Sequence, residues 1–153
     1  MKKYIIMIIF FLLTAGCNSD NNQNAEKGIQ DSFKARADVV FLFKDKKQLS
    51  NYFSPRALAQ SKDYINWSPR GQWSNVKDIK YSMKIRIKEL KIDGKFATAV
   101  VNETVIITWD FIDPSQVMGS DFVKEDAWSN KMHRVKLILT PEGRWIIDED
   151  IIS

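Results

Sequence analysis

The sequence predicts an α+β domain in which N-terminal helices pack on a strongly bent antiparallel sheet of about four strands. Three observations carry that prediction. Apolar residues between Glu26 and Lys44 recur at helical spacing, the period changes to two from Ile79 onward, and the strand-like runs are separated by turn signals and one long polar loop.

The first helix follows from Ile29, Phe33, Ala37, Val40 and Phe41, which fall at i, i+4, i+8, i+11 and i+12 and so share one face. A short segment from Lys47 to Phe53 adds a further turn or two. In "SPRALAQSKDYINWSP", Ser54 is placed to cap a second helix and Pro55 to open it, while Pro69 and Gly71 stop it.

From Ile79 the alternation places Ile79, Tyr81, Met83, Ile85 and Ile87 on one face and Lys80, Ser82, Lys84, Arg86 and Lys88 on the other. "IDGK" at Ile92 to Lys95 turns the chain, because Gly94 and Asp93 tolerate positive φ. The next run, Phe96 to Trp109, exceeds the usual strand length of about 5 to 6 residues, so a bulge or bend is expected within it. Asp110 to Asn130 is a long loop with Pro114 and Gly119, and loops of that length often carry function. Lys131 to Thr140 and Arg144 to Ile151 form the last two strands around the "PEG" turn, with Asp148, Glu149 and Asp150 as a solvated strand end.

This order of elements is similar to the NTF2-like, or cystatin-like, cone fold. "YINWSPRGQWSNVKDIKYSMKIRIKEL", "DGKF" and "MHRVKLILTPEGRWIIDED" resemble, more specifically, the domain that precedes a papain-like amidase domain in some secreted bacterial proteins. The points of likeness are Trp67, Asp78 with Ile79, His133, and Gly143 to Ile146, across about residues 29 to 151. They are hydrophobic and turn signatures, so they speak for a fold more than for an activity.

The N-terminus has a separate logic. Lys2 and Lys3 precede ten apolar residues, Tyr4 to Leu13, which is half the length of about 20 needed to span a bilayer and reads as a cleavable leader. The following "TAGC" resembles the lipobox of bacterial lipoproteins, with Thr14 where that motif usually carries Leu. The resemblance implies cleavage after Gly16, acylation of Cys17 and anchoring to a bilayer on the extracytoplasmic side. An unpaired exported cysteine is otherwise a reactive liability. With the sole Cys so used, no disulfide, thiolate metal site or Cys nucleophile remains. The Asn-rich stretch to Ala25 is too polar to pack and reads as a tether. The expected division is therefore 1–16 leader, 17–25 lipidated cysteine and tether, and 26–153 a single domain of 128 residues.

Charge and motifs exclude more than they select. The chain carries a formal +4, and loss of Lys2 and Lys3 leaves 21 basic against 19 acidic residues, too balanced for a nucleic-acid footprint. The single His excludes the usual zinc sets, the scattered glycines form no phosphate-cradling loop, and no Gly-x-Ser-x-Gly elbow is present. No metal or cofactor is implied.

Three constellations are left. Glu103 and His133 fall on the inner faces of their strands, where a carboxyl beside an imidazole could transfer protons in a cone pocket, or form a hydrogen-bonded rim. Lys80, Lys84, Arg86 and Lys88 form an outer basic stripe suited to anionic headgroups or wall polymers, or simply to solvent. Phe111, Met118, Phe122 and Trp128 are aromatic and apolar residues interleaved with acids in the long loop, as in protein interfaces, although Phe122 and Trp128 could equally close the cone. The expected role is a non-catalytic binding or accessory module for an envelope protein or wall component. A small-molecule enzyme or carrier using Glu103 and His133 is the alternative.

Overall fold

The structure is a computed structural model that describes residues 14–61, 75–117 and 124–153, with side chains for all of these except 14–19 and 128. Helix α1 spans Thr14–Phe41. Its buried stripe runs Ala25, Ile29, Phe33, Arg36, Ala37, Val40 and Phe41, which is the predicted face extended by one turn and interrupted by one arginine. The stretch expected as a tether is thus helical. Ala25 stands four residues before Ile29 on the same stripe and is fully buried.

After α1 a 3-10 turn, Lys46–Asn51, is capped by Asp45 and buries Leu49. Helix α2 covers Pro55–Gln60 with Ser54 accepting from the Ala57 amide, as the Ser-Pro pair predicts. It ends at Ser61, whose amide donates to the Ala57 carbonyl, well before Pro69 and Gly71. Trp67, Pro69 and Gly71 lie outside the described residues.

The sheet comprises β1 (Val76–Asp93), β2 (Phe96–Phe111), β3 (Glu125–Leu139) and β4 (Trp145–Ile152) in the order β1-β2-β3-β4, all antiparallel. Phe53 makes a parallel bridge to Ile147 and so covers part of the β4 edge. The long loop shrinks from both ends, because β2 continues to Phe111 and β3 begins at Glu125. Thr108 pairs with Glu125 and Ile107 with Asp126, so acidic residues that read as loop from their polarity are exposed members of a paired ribbon.

The expected break within β2 is instead distributed over its neighbours. Between Ile87 and Glu89 an extra residue, Lys88, enters β1, and opposite Thr104 an extra residue enters β3, where Asn130 adopts φ 55°. Asn130 can do this with little strain, and its amide donates to Thr104 Oγ1. β2 keeps strict alternation, with Ala97, Ala99, Val101, Glu103, Val105 and Ile107 all inward and buried. The bulges let the sheet curl around α1 without disturbing its central strand.

A further bulge reorients β4. Lys136 pairs with Glu149 and Leu137 with Ile147, which leaves Asp148 as the extra residue. Simple alternation from Trp145 and Ile147 would put Glu149 inside and Asp150 outside. The inserted residue reverses that phase, so Asp150 pairs with Val135 and points inward. Helix and sheet approach closely where α1 crosses β4 at Gly28. A Cβ added to Gly28 would stand 2.8 Å from both Trp145 Cβ and the Trp145 carbonyl oxygen, so glycine is what permits this approach.

Candidate functional site

The concave core is divided into two apolar clusters. Ala25, Ile29 and Phe33 of α1 pack with Ala97, Ala99, Val101, Val135, Leu137, Trp145 and Ile147 towards the β3–β4 turn. Ala37, Val40 and Phe41 pack with Val105 and Ile107 towards the other end. Between them, one residue from each of four elements meets in a charged layer: Arg36 from α1, Glu103 from β2, His133 from β3 and Asp150 from β4.

None of these four side chains is more than 1 % exposed. Arg36 Nη1 donates to Asp150 Oδ2 at 2.5 Å, and Arg36 Nη2 lies 3.8 Å from Glu103 Oε1. His133 Nδ1 lies 2.9 Å from Asp150 Oδ1, and its Nε2 lies 3.4 Å from Glu103 Oε2. Phe33 closes the layer, edge-on to the imidazole with centroids 4.9 Å apart and face-on to the guanidinium at 4.5 Å. Two carboxyl groups therefore face one guanidinium and one imidazole, a set that is charge-balanced when the imidazole is protonated.

The pKa directions agree with that balance. Burial opposes a charge on His133, but hydrogen bonds to Asp150 and Glu103 outweigh it and raise its pKa above 6.5. Burial likewise opposes ionisation of Asp150, yet the bond from His133 and the positive Arg36 hold its carboxyl below the usual range. The raised His133 contributes stability that is complete below pH 6.5 and is lost as pH rises through its folded pKa. The lowered Asp150 contributes stability present above pH 3.8 and lost as pH falls through its own. This pair therefore predicts greatest stability between pH 3.8 and 6.5, checked by urea midpoints across pH. The decline on the alkaline side should flatten in His133→Gln, and an unchanged decline there would remove His133 from the account.

Chemically the layer is closed. α1 and Phe33 cover it, and neither of two surface cavities among the described residues touches Glu103 or His133. The inward placement of Glu103 and His133 matches the sequence reading, and both side chains are buried, at 1 % and 0 % exposure. Two partners went unseen in the sequence. Arg36 stands three residues after Phe33 on the apolar stripe, a position that could have flagged it, and Asp150 read as solvated because the bulge at Asp148 leaves no mark in the pattern.

The remaining predicted residues are distributed as follows. Lys80, Lys84, Arg86 and Lys88 are exposed along β1, with Lys88 as the bulge residue. Phe111, expected at an exposed interface, is instead 8 % exposed, because β2 extends far enough to carry it into the fold. Met118 and Phe122 lie outside the described residues, and Trp128 is a β3 position whose backbone pairs with Val105. Cys17 belongs to the first turn of α1. No helix among the described residues is long and apolar enough to cross a membrane.

The chain matches no protein-family model and no curated protein sequence. Among solved structures it is similar to the intermembrane space region of the chloroplast protein ARC6, at 14 % identity and TM-score 0.58, over 85 % of this chain and 94 % of that one. It is also similar to the Kfla4162 protein of Kribbella flavida, at 11 % identity and TM-score 0.57, over 86 % of this chain and 91 % of that one. At such identities the likeness is one of fold, helices packed on a bent antiparallel sheet.

Proposed function

We propose that this chain is a membrane-anchored extracytoplasmic lipoprotein whose cone serves as a non-catalytic accessory module, holding an acidic segment of an envelope protein along the outer edge of β1. The anchor reading rests on the Lys-Lys, apolar run and Ala-Gly-Cys17 pattern. The likeness to domains that accompany papain-like amidases is in keeping with an accessory role.

The observation that carries the binding role is an unmatched row of charge. Several cations elsewhere are paired: Lys34 and Lys44 to Asp38, Arg56 and Lys136 to Glu149, Lys124 to Asp110. Lys84, Arg86, Lys88 and Lys91 have no ion pair among the described residues. They decorate an 18-residue strand whose outer edge is paired with no described residue. An open edge offers backbone donors and acceptors to an added strand. Its lysines repel a second copy of the same edge and attract an acidic one. An extended acidic polypeptide satisfies both features at once.

The test replaces Ser82 by a photo-crosslinking residue in cells producing the native lipoprotein. One adduct of discrete mass is expected, with an apparent affinity about tenfold weaker, or about 1.4 kcal/mol, in the Lys84→Glu, Arg86→Glu, Lys88→Glu variant. An adduct unaffected by the three reversals would sink the reading.

A further inference from the structure

We infer that the end of the cone bearing the β1–β2 and β3–β4 turns is the membrane-facing end, and that an apolar row on the convex sheet face, Phe96, Ile138 and Ile146, rests in the headgroup region of the bilayer. This rests on the anchor reading above and adds an orientation and a second contact to it.

The chain's own course supplies the first part. The apolar run Tyr4 to Leu13 ends immediately before α1, and α1 runs without a break from Thr14 into the core at Ala25. At about 1.5 Å per residue the helix places Ala25 only about 12 Å from Cys17. The surface next to Ala25 must therefore face whatever Cys17 is attached to. That surface can be identified, because Asn24, Lys27 and Gly28 of α1 share a cleft with Asn51, Tyr52, Gly143, Arg144 and Trp145. The β1–β2 turn lies at the same end, since the Leu139 amide donates to the Lys95 carbonyl at 2.9 Å.

The second part comes from the register. Phe96 pairs with Ile138, and Ile138 with Ile146, so three large apolar side chains line up across β2, β3 and β4. Ala97, Leu137 and Ile147, their neighbours along the chain, point into the core, which places the row on the convex face. Phe96 is 66 % exposed, the highest value among the large hydrophobic side chains of the described residues. Lys91, Lys95 and Arg144 flank this end, together with the acids Asp93 and Glu142, and Lys27 there is paired with Asp31. An exposed aromatic between cations is the composition that settles at the boundary of headgroups and acyl chains.

The orientation also decides what the basic stripe can reach. From Lys91 back to Lys80 the strand rises about 36 Å at about 3.3 Å per residue. With the turn end on the bilayer, only Lys91 and Lys95 approach lipid. Lys80, Lys84 and Arg86 stand above it and face sideways, where a second envelope protein would meet them.

The experiment uses the full acylated chain in vesicles of phosphatidylcholine and phosphatidylglycerol. Phe96→Cys and Ile112→Cys are each labelled with a polarity-sensitive fluorophore. Both sites are exposed, and Ile112 lies beyond the opposite end of β2, so the labels report position without disturbing the core. The expected result is a blue shift and at least twofold quenching by nitroxide lipids for the label at 96, with neither at 112. Equal quenching at the two sites, or quenching at 112 alone, would overturn the orientation while leaving the anchor reading intact. Flotation of the protein with the vesicles is scored separately, and its failure would defeat the anchor reading and the orientation built on it.

Discussion

Arg36→Met is expected to cost the domain about 3–5 kcal/mol, the range seen when one partner of a buried ion pair is removed. The arginine, like His133, reaches both carboxyl groups of the layer. Without it, Asp150 and Glu103 remain under α1 with the guanidinium charge removed. Methionine fills much of the same volume, so the loss reports charge rather than a cavity. For a domain of this size it corresponds to a fall in Tm of roughly 10–25 °C. Adding Asp150→Asn to the same chain is expected to recover part of that loss, because the second change neutralises the carboxyl that the first has stranded. Strictly additive losses in a urea double-variant cycle would show that the two side chains do not depend on one another. Arg36→Lys should fall between, since an ammonium cannot place two donors in the fixed fork that Asp150 and Glu103 require.

How far the sequence revealed this site depends on which kind of information each residue carries. Ile29, Phe33, Ala37 and Val40 were legible because burial of a helix face imposes a repeat that the residues themselves must obey. The inward direction of Glu103 and His133 was legible for a similar reason, as each sits among alternating Val, Ile and Leu positions. Asp150 was not, because its direction is set by one extra residue three-quarters of the way through the sheet, and Asp148 has no side-chain property that announces a bulge. Boundaries failed where polarity and pairing disagree: Asn18 to Ala25 looks like a tether yet is helical, and Glu125 to Asn130 looks like loop yet pairs with β2. Polarity reports the solvent a residue meets, and a solvated helix or ribbon meets as much of it as a loop does.

The closed layer and the open edge separate two tasks within one small fold. The four groups of the charged layer are buried beneath α1, where they can fix how helix and sheet are matched. Each inward register step of β2, β3 or β4 would remove a partner from the layer, so the set selects one pairing of the strands over its neighbours. The outside of β1 and the turn end carry exposed side chains, and these are the surfaces on which binding to partner and membrane is proposed.

Phe33→Ala is the second large effect expected, about 3–5 kcal/mol, and its interest lies in where the cavity opens. Phe33 is fully buried and touches both halves of the site, with the imidazole of His133 at its edge and the guanidinium of Arg36 over its face. Truncation removes apolar burial, as it would at Phe53, but it also opens a void beside four charged or polar groups. Such a void admits water, since water there finds polar partners, whereas one lined only by Ile and Leu stays dry. Hydration would weaken the bonds that raise the His133 pKa and lower that of Asp150, so the pH dependence of stability should flatten together with the loss of stability. Phe33→Leu separates the two contributions: it keeps most of the volume and loses the ring contacts, and a cost of about 1–1.5 kcal/mol is expected. Urea unfolding of both variants, with the His133 titration followed by NMR, tests this. A Phe33→Ala variant that loses its stability while the His133 titration stays in place would mean that the ring supports the core without shielding the charged layer.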